Sequence, residues 1–335
     1  MNVQIGMSTN TRHNGITPES LGLTPEQARL LGRPSGNIYW VRLAVLRAMQ
    51  RHQADGTLPT SGRFIFYELA QDPTVPEVQK GTEAQWKSPR KPDRDVVYAL
   101  RDLRNLGFVD WADVKDETRE MTWWRTAPSI AEYVAREVDY AALSPWRITG
   151  KPAPLIICES RSLAGVLRDV CADYCVPLAS TNGQCKGFTV TEIAPSVDDD
   201  SHILYLGDYD NGGRQIEANT RRIVEEHSGC IPTWERLLLT REQVFDTAND
   251  QANPLPWIRK RDKRYEEGED IGDEGSGGWF TTCECEALGQ RRIIDILRGR
   301  LDELLAPTTL AQVREREDEQ RREIRRRLRE LTDDE

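Results

Sequence analysis

Two stretches of sequence decide the fold: Leu155-Ile-Ile-Cys-Glu159-Ser-Arg-Ser-Leu-Ala-Gly165-Val-Leu-Arg168 and Ile203-Leu-Tyr-Leu-Gly207-Asp208-Tyr-Asp210-Asn-Gly-Gly213. Each begins with a short apolar run that stops at an acidic residue, and a helical pattern follows. Short, wholly apolar runs are typical of parallel strands that are covered on both faces. In an open α/β sheet, ligands bind outside the carboxyl ends of such strands. The pattern therefore predicts a mainly parallel sheet with Glu159, Asp208 and Asp210 at one edge.

Three carboxylates at one edge would repel one another unless a cation lay between them. Oxygen ligands favour a hard ion, Mg²⁺ or alternatively Mn²⁺, and such ions commonly serve phosphate chemistry. Turns are rich in Asp, Asn and Gly for conformational reasons as well, so an Asp-x-Asp alone has a structural alternative. The paired pattern is more specific, and it predicts that Glu159, Asp208 and Asp210 bind the metal.

The two motifs resemble the Toprim domain of topoisomerases, primases and some nucleases. Their forms, Glu-x-x-x-Leu-x-Gly-Val-Leu and Leu-Gly-Asp-x-Asp-x-x-Gly, are similar to the branch that contains the A subunit of topoisomerase VI and its short relatives in phages and mobile elements. The stretch from Val176 to Gln184 is similar to the second strand of that domain, which ends in a polar loop containing glycine. The resemblance implies a Mg²⁺-dependent enzyme that acts on double-stranded DNA.

The stretch from Phe280 to Leu288 is similar to a Glu-x-Asp-Ala-Leu segment of the short relatives. We expect a strand here, with Glu284 and Glu286 on the face opposite to the neighbouring cysteines. Support of the metal site by one of these acids is an alternative to the structural role that we favour. A helix from Arg291 to Leu305 follows. A second, highly charged helix begins at Thr308, and we expect it to pack against a partner subunit.

Residues 37–126 have the pattern of a winged-helix (CAP-like) domain. Three helical segments are predicted, at 37–53, 62–70 and 93–105, and the runs 108–111 and 120–124 are expected to pair as the wing. In a helix-turn-helix fold the third helix lies in the major groove. Here that helix and its lead-in are basic, so we expect DNA contacts there, with an ordinary solvated charged face as the alternative. The candidate DNA-binding residues are Lys87, Arg90, Lys91, Arg94, Arg101 and Arg104.

The second of these helices carries Ser61-Gly-Arg63-Phe-Ile-Phe-Tyr67. It is similar to an Arg-x-Ile-(Phe/Tyr)-Tyr motif of the topoisomerase VI A subunit and of the meiotic double-strand-break protein, whose last Tyr attacks DNA. The resemblance implies that Tyr67 is the nucleophile and that Glu159 is a metal ligand or proton shuttle. Arg63 lies one turn before Tyr67 on the same helix face, so we expect it to contact the scissile phosphate. Gly62 departs from the family pattern and weakens the start of the helix. A tyrosine among so many apolar residues also has packing as its alternative role.

Length and resemblance together predict two main domains. The expected parts are a polar mobile arm (1–36), the winged-helix domain (37–126), a linker (127–150), the Toprim domain (151–305, with a loop excursion at 250–279) and a charged helix (306–335). The net charge of −10 argues against a DNA-coating protein. The seven cysteines lack a Cys-x-x-Cys and are expected as core thiols in a cytoplasmic protein. No signal peptide or membrane-spanning run is present in the sequence.

Three functions are consistent with these patterns. The first is Mg²⁺-dependent DNA cleavage of the topoisomerase VI A-subunit type, a type IIB topoisomerase activity, in which a homodimer uses Tyr67 of one subunit with the metal site of the other. The second is a Toprim nuclease of the phage-defence type, without a covalent intermediate. The third is a non-catalytic DNA-binding subunit. No Walker motif is present, so any ATP dependence would come from a separate subunit.

Overall fold

The computed structural model describes residues 16–72, 74, 75, 78, 92–115, 124–245, 258–261 and 279–333. Its α-helices are α1 (Pro25–Leu30), α2 (Asn37–Ala54), α3 (Gly62–Gln71), α4 (Pro92–Asn105), α5 (Ile130–Glu137), α6 (Pro145–Thr149), α7 (Arg161–Asp173), α8 (Lys186–Phe188), α9 (Asn211–Ser228), α10 (Arg241–Phe245), α11 (Gln290–Leu304) and α12 (Pro307–Asp333). Its strands are β1 (Leu155–Cys158), β2 (Leu178–Ser180), β3 (His202–Leu206), β4 (Thr233–Leu238), β5 (Ile258–Arg261) and β6 (Trp279–Thr282).

The chain divides into two compact units, each formed by two segments. Unit 1 comprises residues 1–116 and 243–293, and unit 2 comprises residues 117–242 and 294–335. This division differs from the predicted domains, in which residues 151–305 form one domain and residues 306–335 a separate helix. Residues 243–293 belong with the N-terminal helices because Glu284, Ala287 and Gln290 form hydrogen bonds with α3 and with the loop before it.

Unit 2 is built on a four-stranded sheet in the order β2-β1-β3-β4, with every pairing parallel. Leu155 pairs with Ile203 and Cys158 pairs with Leu206, so β1 and β3 end side by side. All four residues of β1 are buried, as expected for a central strand that is covered on both faces. The predicted mixed α/β class with a parallel sheet is confirmed.

The helices that follow β1 and β3 begin at residues whose side chains cap them. Ser160 Oγ accepts a hydrogen bond from Leu163 N at 3.1 Å at the start of α7. Asp210 Oδ1 accepts one from Gly213 N at 2.6 Å at the start of α9. These caps satisfy amide groups that have no partner within the helix. The Asp210 cap fixes the start of α9 at Asn211.

The C-terminal helix α12 packs on its own chain, and its predicted packing on a partner subunit stays a prediction. Glu317, which is 5% exposed, accepts a hydrogen bond from Leu143 N at 2.6 Å. It also forms ion pairs with Arg314 and Arg321, each at 2.8 Å. A buried carboxylate with three partners is well compensated. The charged helix therefore completes unit 2.

Unit 1 has a core between α2, α3 and α4. Residues before α2 take part in it as well: Ile16 is 2% exposed and Leu31 is fully buried. Arg42 Nη1 of α2 donates a hydrogen bond to Leu31 O at 2.7 Å, which fixes the segment before α2. Residues 16–36 are therefore packed, and the predicted mobile arm is wrong for them, because a few widely spaced apolar residues suffice to anchor a polar segment. Residues 1–15 lie outside the described part of the chain.

The first predicted wing strand, 108–111, is wrong. The chain turns at Gly107, whose φ is +76°, and Val109 packs into the helical core. A 3₁₀ turn follows at Trp111–Asp113. Val114 then forms an isolated parallel bridge with Thr60. Most of the second predicted wing strand, residues 120–123, lies outside the described residues.

The predicted strand at 280–288 is also shorter than expected. Strand β6 ends at Thr282, and Cys285–Leu288 form a 3₁₀ turn that packs on α3. In the predicted excursion, residues 258–261 form β5, which pairs antiparallel with β6. The rest of 250–278 lies outside the described residues.

All seven cysteines are free thiols, four of them buried and three partly exposed. Within the described part of the chain, no helix combines the length and the apolar character that crossing a bilayer requires.

Candidate functional site

The predicted acidic edge of unit 2 brings Glu159 and Asp208 into direct contact. Glu159 N donates to Leu206 O at 2.9 Å, which continues the pairing of β1 with β3 by one residue. The Glu159 side chain then crosses to β3, where Oε2 accepts a hydrogen bond from Asp208 N at 3.1 Å. Both residues are partly buried. The two sequence motifs thus meet at the carboxyl edge of the sheet, as predicted.

Asp210 lies at the same edge and serves as the cap of α9. One oxygen accepts the hydrogen bond from Gly213 N. A carboxylate offers two oxygens and about four lone-pair positions, so capping leaves Asp210 able to accept further ligands. Asp210 therefore combines a structural role with its predicted binding role.

Gly213 packs closely against both motifs. A Cβ at this position would lie 2.4 Å from Asp208 O and 3.1 Å from Glu159 Oε2. The first distance is shorter than real Cβ contacts allow, and the atom it meets belongs to the backbone. Only glycine therefore fits beside the Glu159 carboxylate without moving the loop after β3.

Two arginines near this edge were not singled out from the sequence. Arg236, on β4, donates through Nη2 to the carbonyl oxygens of Gly207 and Asp208, at 2.8 and 2.7 Å. Its Nη1 forms an ion pair with Glu217 of α9. Arg214, in the first turn of α9, lies 4.4 Å from the ring centre of Tyr209. The sequence pattern does not reveal these contacts, because each contact joins residues from different parts of unit 2.

The edge has the donor chemistry of a hard cation site. Besides the carboxylates, β2 ends there with Ser180 and Thr181, since Ser180 pairs with Cys158. The hydroxyl oxygens of both are buried and have no hydrogen-bond partner among the described residues. Uncharged and charged oxygens together are the ligands that Mg²⁺ prefers. Within the described residues, however, no three acidic, His or Cys side chains are already grouped as metal ligands.

The second candidate site lies in unit 1 and contains the predicted nucleophile. Tyr67 and Arg63 lie one turn apart on α3, which brings their side chains to one face. The Arg63 guanidinium carbon lies 6.0 Å from the centre of the Tyr67 ring. Tyr67 as a whole is only 6% exposed. The motif therefore places both residues together, with the tyrosine mostly covered.

Two carboxylates from the 3₁₀ turn complete this tyrosine cluster. The Tyr67 hydroxyl donates a hydrogen bond to Glu284 Oε2. The same oxygen lies 2.9 Å from Arg63 Nη2, and Glu286 Oε1 lies 2.9 Å from Arg63 Nε. Glu284 and Glu286 lie on one side, as predicted, although a 3₁₀ turn and not the predicted strand brings both carboxylates to one guanidinium. The sequence likeness pointed to this segment but not to its contact with Tyr67.

The cluster keeps the Tyr67 phenol protonated. Burial raises the pKa of Tyr67 well above its ordinary value, and the Glu284 carboxylate raises it further by its charge and its hydrogen bond, while Arg63 acts in the opposite direction. Ionisation of this phenol in advance of a reaction is therefore unfavourable. Its proton already points to an acceptor, the Glu284 carboxylate.

A cavity of about 520 Å³ opens beside the cluster. It lies between α3 and α4, with Arg63, Tyr67 and Glu284 on one side and Arg94 and Tyr98 on the other. The cavity is large enough for a small organic group. It therefore gives the mostly covered Tyr67 a route to a ligand.

The predicted DNA-binding residues divide into three groups. Lys87, Arg90 and Lys91 lie outside the described residues. Arg94 and Arg101 are exposed on α4, and Arg101 lies 5.2 Å from the centre of the Tyr98 ring.

Arg104 has a different position. Its Nη2 donates to the carbonyl oxygens of Trp111 and of Val114, the latter at 2.6 Å. Its guanidinium also lies 4.7 Å from the centre of the Trp111 ring. Arg104 thus fixes the segment that follows α4.

Comparisons of the chain with protein-family models, with curated proteins and with solved structures gave no match.

Proposed function

We propose that this protein is a Mg²⁺-dependent DNA-cleaving enzyme that resembles the topoisomerase VI A subunit, with a winged-helix-like unit 1 and a Toprim-like unit 2. The observation that carries the proposal is the contact between the two acidic motifs, in which Glu159 accepts a hydrogen bond from the amide of Asp208. Glu159, Asp208 and Asp210 would hold the ion. When bound, Mg²⁺ would stabilise the negative charge that develops on a phosphate during cleavage.

The conformation of the edge supports this assignment independently of the resemblance. Gly213 lets the first turn of α9 pack closely against Asp208 and the Glu159 carboxylate, and the buried hydroxyls of Ser180 and Thr181 add oxygen atoms at the third strand end. Buried oxygen atoms of this kind are expected where a small ligand with many oxygen contacts binds.

Tyr67 is the proposed nucleophile. Tyr67 lines the cavity between α3 and α4, and Arg63 lies beside it to contact the phosphate. In the family, the tyrosine of one subunit acts at the metal site of the other, so the proposal implies a homodimer on double-stranded DNA. The product would carry a 5′-phosphotyrosyl bond.

One observation favours a second candidate, a Toprim-like nuclease that uses water as its nucleophile. Tyr67 is 6% exposed, and its pKa is raised rather than lowered. An ordinary packed tyrosine with a satisfied hydroxyl would have the same properties. In this alternative the acidic edge keeps its role and the tyrosine cluster only stabilises unit 1.

The test is cleavage of supercoiled plasmid by the purified protein, with and without Mg²⁺ or Mn²⁺, followed by protease treatment. We expect metal-dependent linear or nicked DNA whose 5′ ends carry protein until the protease removes it. Protein-free ends from the start would favour the nuclease, and no cleavage with either ion would contradict both candidates.

A binding measurement examines the metal site without cleavage. Titration calorimetry with Mn²⁺ should give binding to the wild type and none to Asp208→Ala or Glu159→Ala. Asp302→Asn is the matched control, because Asp302 is a carboxylate of unit 2 that bonds to Tyr174 instead. Equal Mn²⁺ binding by the wild type and Asp208→Ala would overturn the metal assignment.

A further inference from the structure

The tyrosine cluster contains a proton acceptor as well as a nucleophile. We propose that Glu284 is the general base that takes the proton of Tyr67 when this residue attacks DNA. The inference rests on the proposed function, because it concerns the same cleavage step. It adds a catalytic residue that comes from a part of the chain far from α3, at a separation of 217 residues.

The Tyr67 phenol and the Glu284 carboxylate are direct neighbours. The Tyr67 hydroxyl already donates its hydrogen bond to Glu284 Oε2. A general base must lie within hydrogen-bond reach of the proton that it removes, and Glu284 meets that condition in the structure. Both groups line the same cavity, so a phosphate that reaches the Tyr67 oxygen meets the base as well.

Burial makes such a base necessary. A phenol with a pKa well above its ordinary value is almost wholly protonated near neutral pH, and phenol itself is a weak nucleophile. Transfer of the proton during the attack avoids the free phenolate. As the Tyr67 oxygen bonds to phosphorus, its proton moves to Glu284. The bond from phosphorus to the 3′ oxygen then breaks, and the 3′ oxygen takes a proton from solvent.

Arg63 and Glu286 hold the base in position. Arg63 Nη2 lies 2.9 Å from the same Glu284 oxygen that accepts the Tyr67 proton, and Arg63 Nε lies 2.9 Å from Glu286. Glu286 is 1% exposed, so its carboxylate is fixed in the interior of unit 1. The other charged groups that line the cavity are Asp93 and Arg94 of α4. Glu286 is therefore a positioning residue, whereas Glu284 contacts the reacting oxygen.

The test compares Glu284→Gln with two controls in single-turnover cleavage. Glutamine keeps the size of the side chain and an oxygen that can accept the hydrogen bond, but it is a far weaker base. General-base catalysis contributes about 10²–10⁴-fold, so we expect a loss of that order for Glu284→Gln. Glu286→Gln should lose less, and Asp302→Asn, which changes the equivalent partner of Tyr174, should cleave as the wild type does.

Two further readouts separate catalysis from structure. The Glu284→Gln rate should keep rising with pH, because hydroxide must now remove the proton, whereas the wild-type rate should reach a plateau. A fluorinated tyrosine at position 67 has a more acidic phenol and should restore much of the lost rate in Glu284→Gln. Rescue of this kind is not expected if the substitution only disturbs packing.

The outcomes are distinct. A wild-type protein that forms the Tyr67 adduct while Glu284→Gln keeps its rate would overturn the base assignment and leave the proposed function intact. A loss of rate without rescue by the fluorinated tyrosine would do the same, since Glu284 would then be structural. Absence of any Tyr67 adduct in the wild type would overturn the proposed function and this inference together.

Discussion

The acidic edge of unit 2 and the tyrosine cluster of unit 1 are built in different ways. At the edge, the carboxylates of Glu159 and Asp210 accept hydrogen bonds from backbone amides of the loop and helix that follow β3. In the cluster, Tyr67, Arg63 and Glu284 bond to one another through side chains alone. The edge residues thus support the fold that holds them, whereas the cluster is a side-chain assembly on elements that fold for other reasons.

This difference determines how each site responds to substitution. A change at the edge alters backbone hydrogen bonds and binding at once, so the two effects must be separated by matched variants. In the cluster a single oxygen atom can be removed with little change in packing. The expected effects therefore range from a loss of DNA cleavage alone to small changes in the free energy of unfolding or in the salt dependence of DNA binding.

The largest effect is expected for Tyr67→Phe. Loss of the nucleophile should lower the cleavage rate by several orders of magnitude, at about 1.4 kcal/mol for each tenfold change. Tyr174→Phe is the matched control, because Tyr174 is also 6% exposed and also donates to a carboxylate, Asp302, at 2.5 Å. Both variants should lose a similar stability, about 1–3 kcal/mol for a hydrogen bond to a charged group.

Only the activity should therefore distinguish the two tyrosines. Single-turnover cleavage and urea unfolding on the same preparations measure both quantities. A Tyr67→Phe cleavage rate within about threefold of the wild-type rate would correspond to a change of less than about 1 kcal/mol in the activation free energy. Such a result would support the nuclease that uses water as its nucleophile.

The second prediction concerns the edge. Gly213→Ala places a methyl group 2.4 Å from Asp208 O, and such overpacking costs about 1–3 kcal/mol. It should also weaken Mn²⁺ binding, because the loop after β3 must move. The matched control is Gly299→Ala in α11, where an added Cβ meets nothing within 4 Å. That substitution should stabilise the protein by about 0.5–1 kcal/mol. Equal urea midpoints for the two variants would show that the edge is looser than the structure indicates.

The third prediction is a loss of stability at alkaline pH. Burial raises the pKa of Tyr174 to about 12, with the hydrogen bond to Asp302 as a further cause. Below pH 10 the phenol is protonated in both the folded and the unfolded chain, so it adds no pH dependence. Above pH 10 the unfolded chain ionises first, and stability falls until about pH 12, where the folded Tyr174 ionises too.

The tyrosine cluster should extend this loss to higher pH, since the pKa of Tyr67 is raised further than that of Tyr174. Unfolding free energies measured from pH 9 to pH 12 should therefore fall less steeply for Tyr174→Phe and for Tyr67→Phe than for the wild type. Parallel curves for all three proteins would mean that neither phenol is held protonated by the fold.

The smallest effect is expected on α4. Removal of one side chain that binds a phosphate should reduce the salt slope of DNA binding by about 1, and we expect this for Arg94→Ala and Arg101→Ala, whose side chains are exposed. Arg104→Ala should instead cost about 1 kcal/mol of stability, because Arg104 bonds to the carbonyls of Trp111 and Val114. Anisotropy titrations at several salt concentrations measure the slope. The same slope for Arg101→Ala and the wild type would make α4 an ordinary solvated face.

Local patterns predicted the elements of both sites well. The apolar runs at 155–158 and 203–206 form β1 and β3, and the helical periodicity at 62–70 forms α3. The predictions failed where a short segment could form more than one type of local structure. The run at 108–111 was predicted as a strand, but Phe108 and Val109 pack into the helical core after the turn at Gly107, while Trp111 stays exposed. Likewise, Glu284 follows β6, yet its position is set by contact with α3.

The sequence by itself determined the parallel sheet, the position of Glu159, Asp208 and Asp210 at its edge, and the presence of Tyr67 and Arg63 on one face of a helix. These follow from periods of two and 3.6 residues and from the rule that parallel strands end together. Only the tertiary structure decided that Glu284 is the partner of Tyr67, that Gly213 is packed against Asp208 and Glu159, and that Arg104 is bonded to its own chain. These contacts join residues that are distant in sequence or depend on distances of a few tenths of an ångström, and a residue pattern contains neither kind of information.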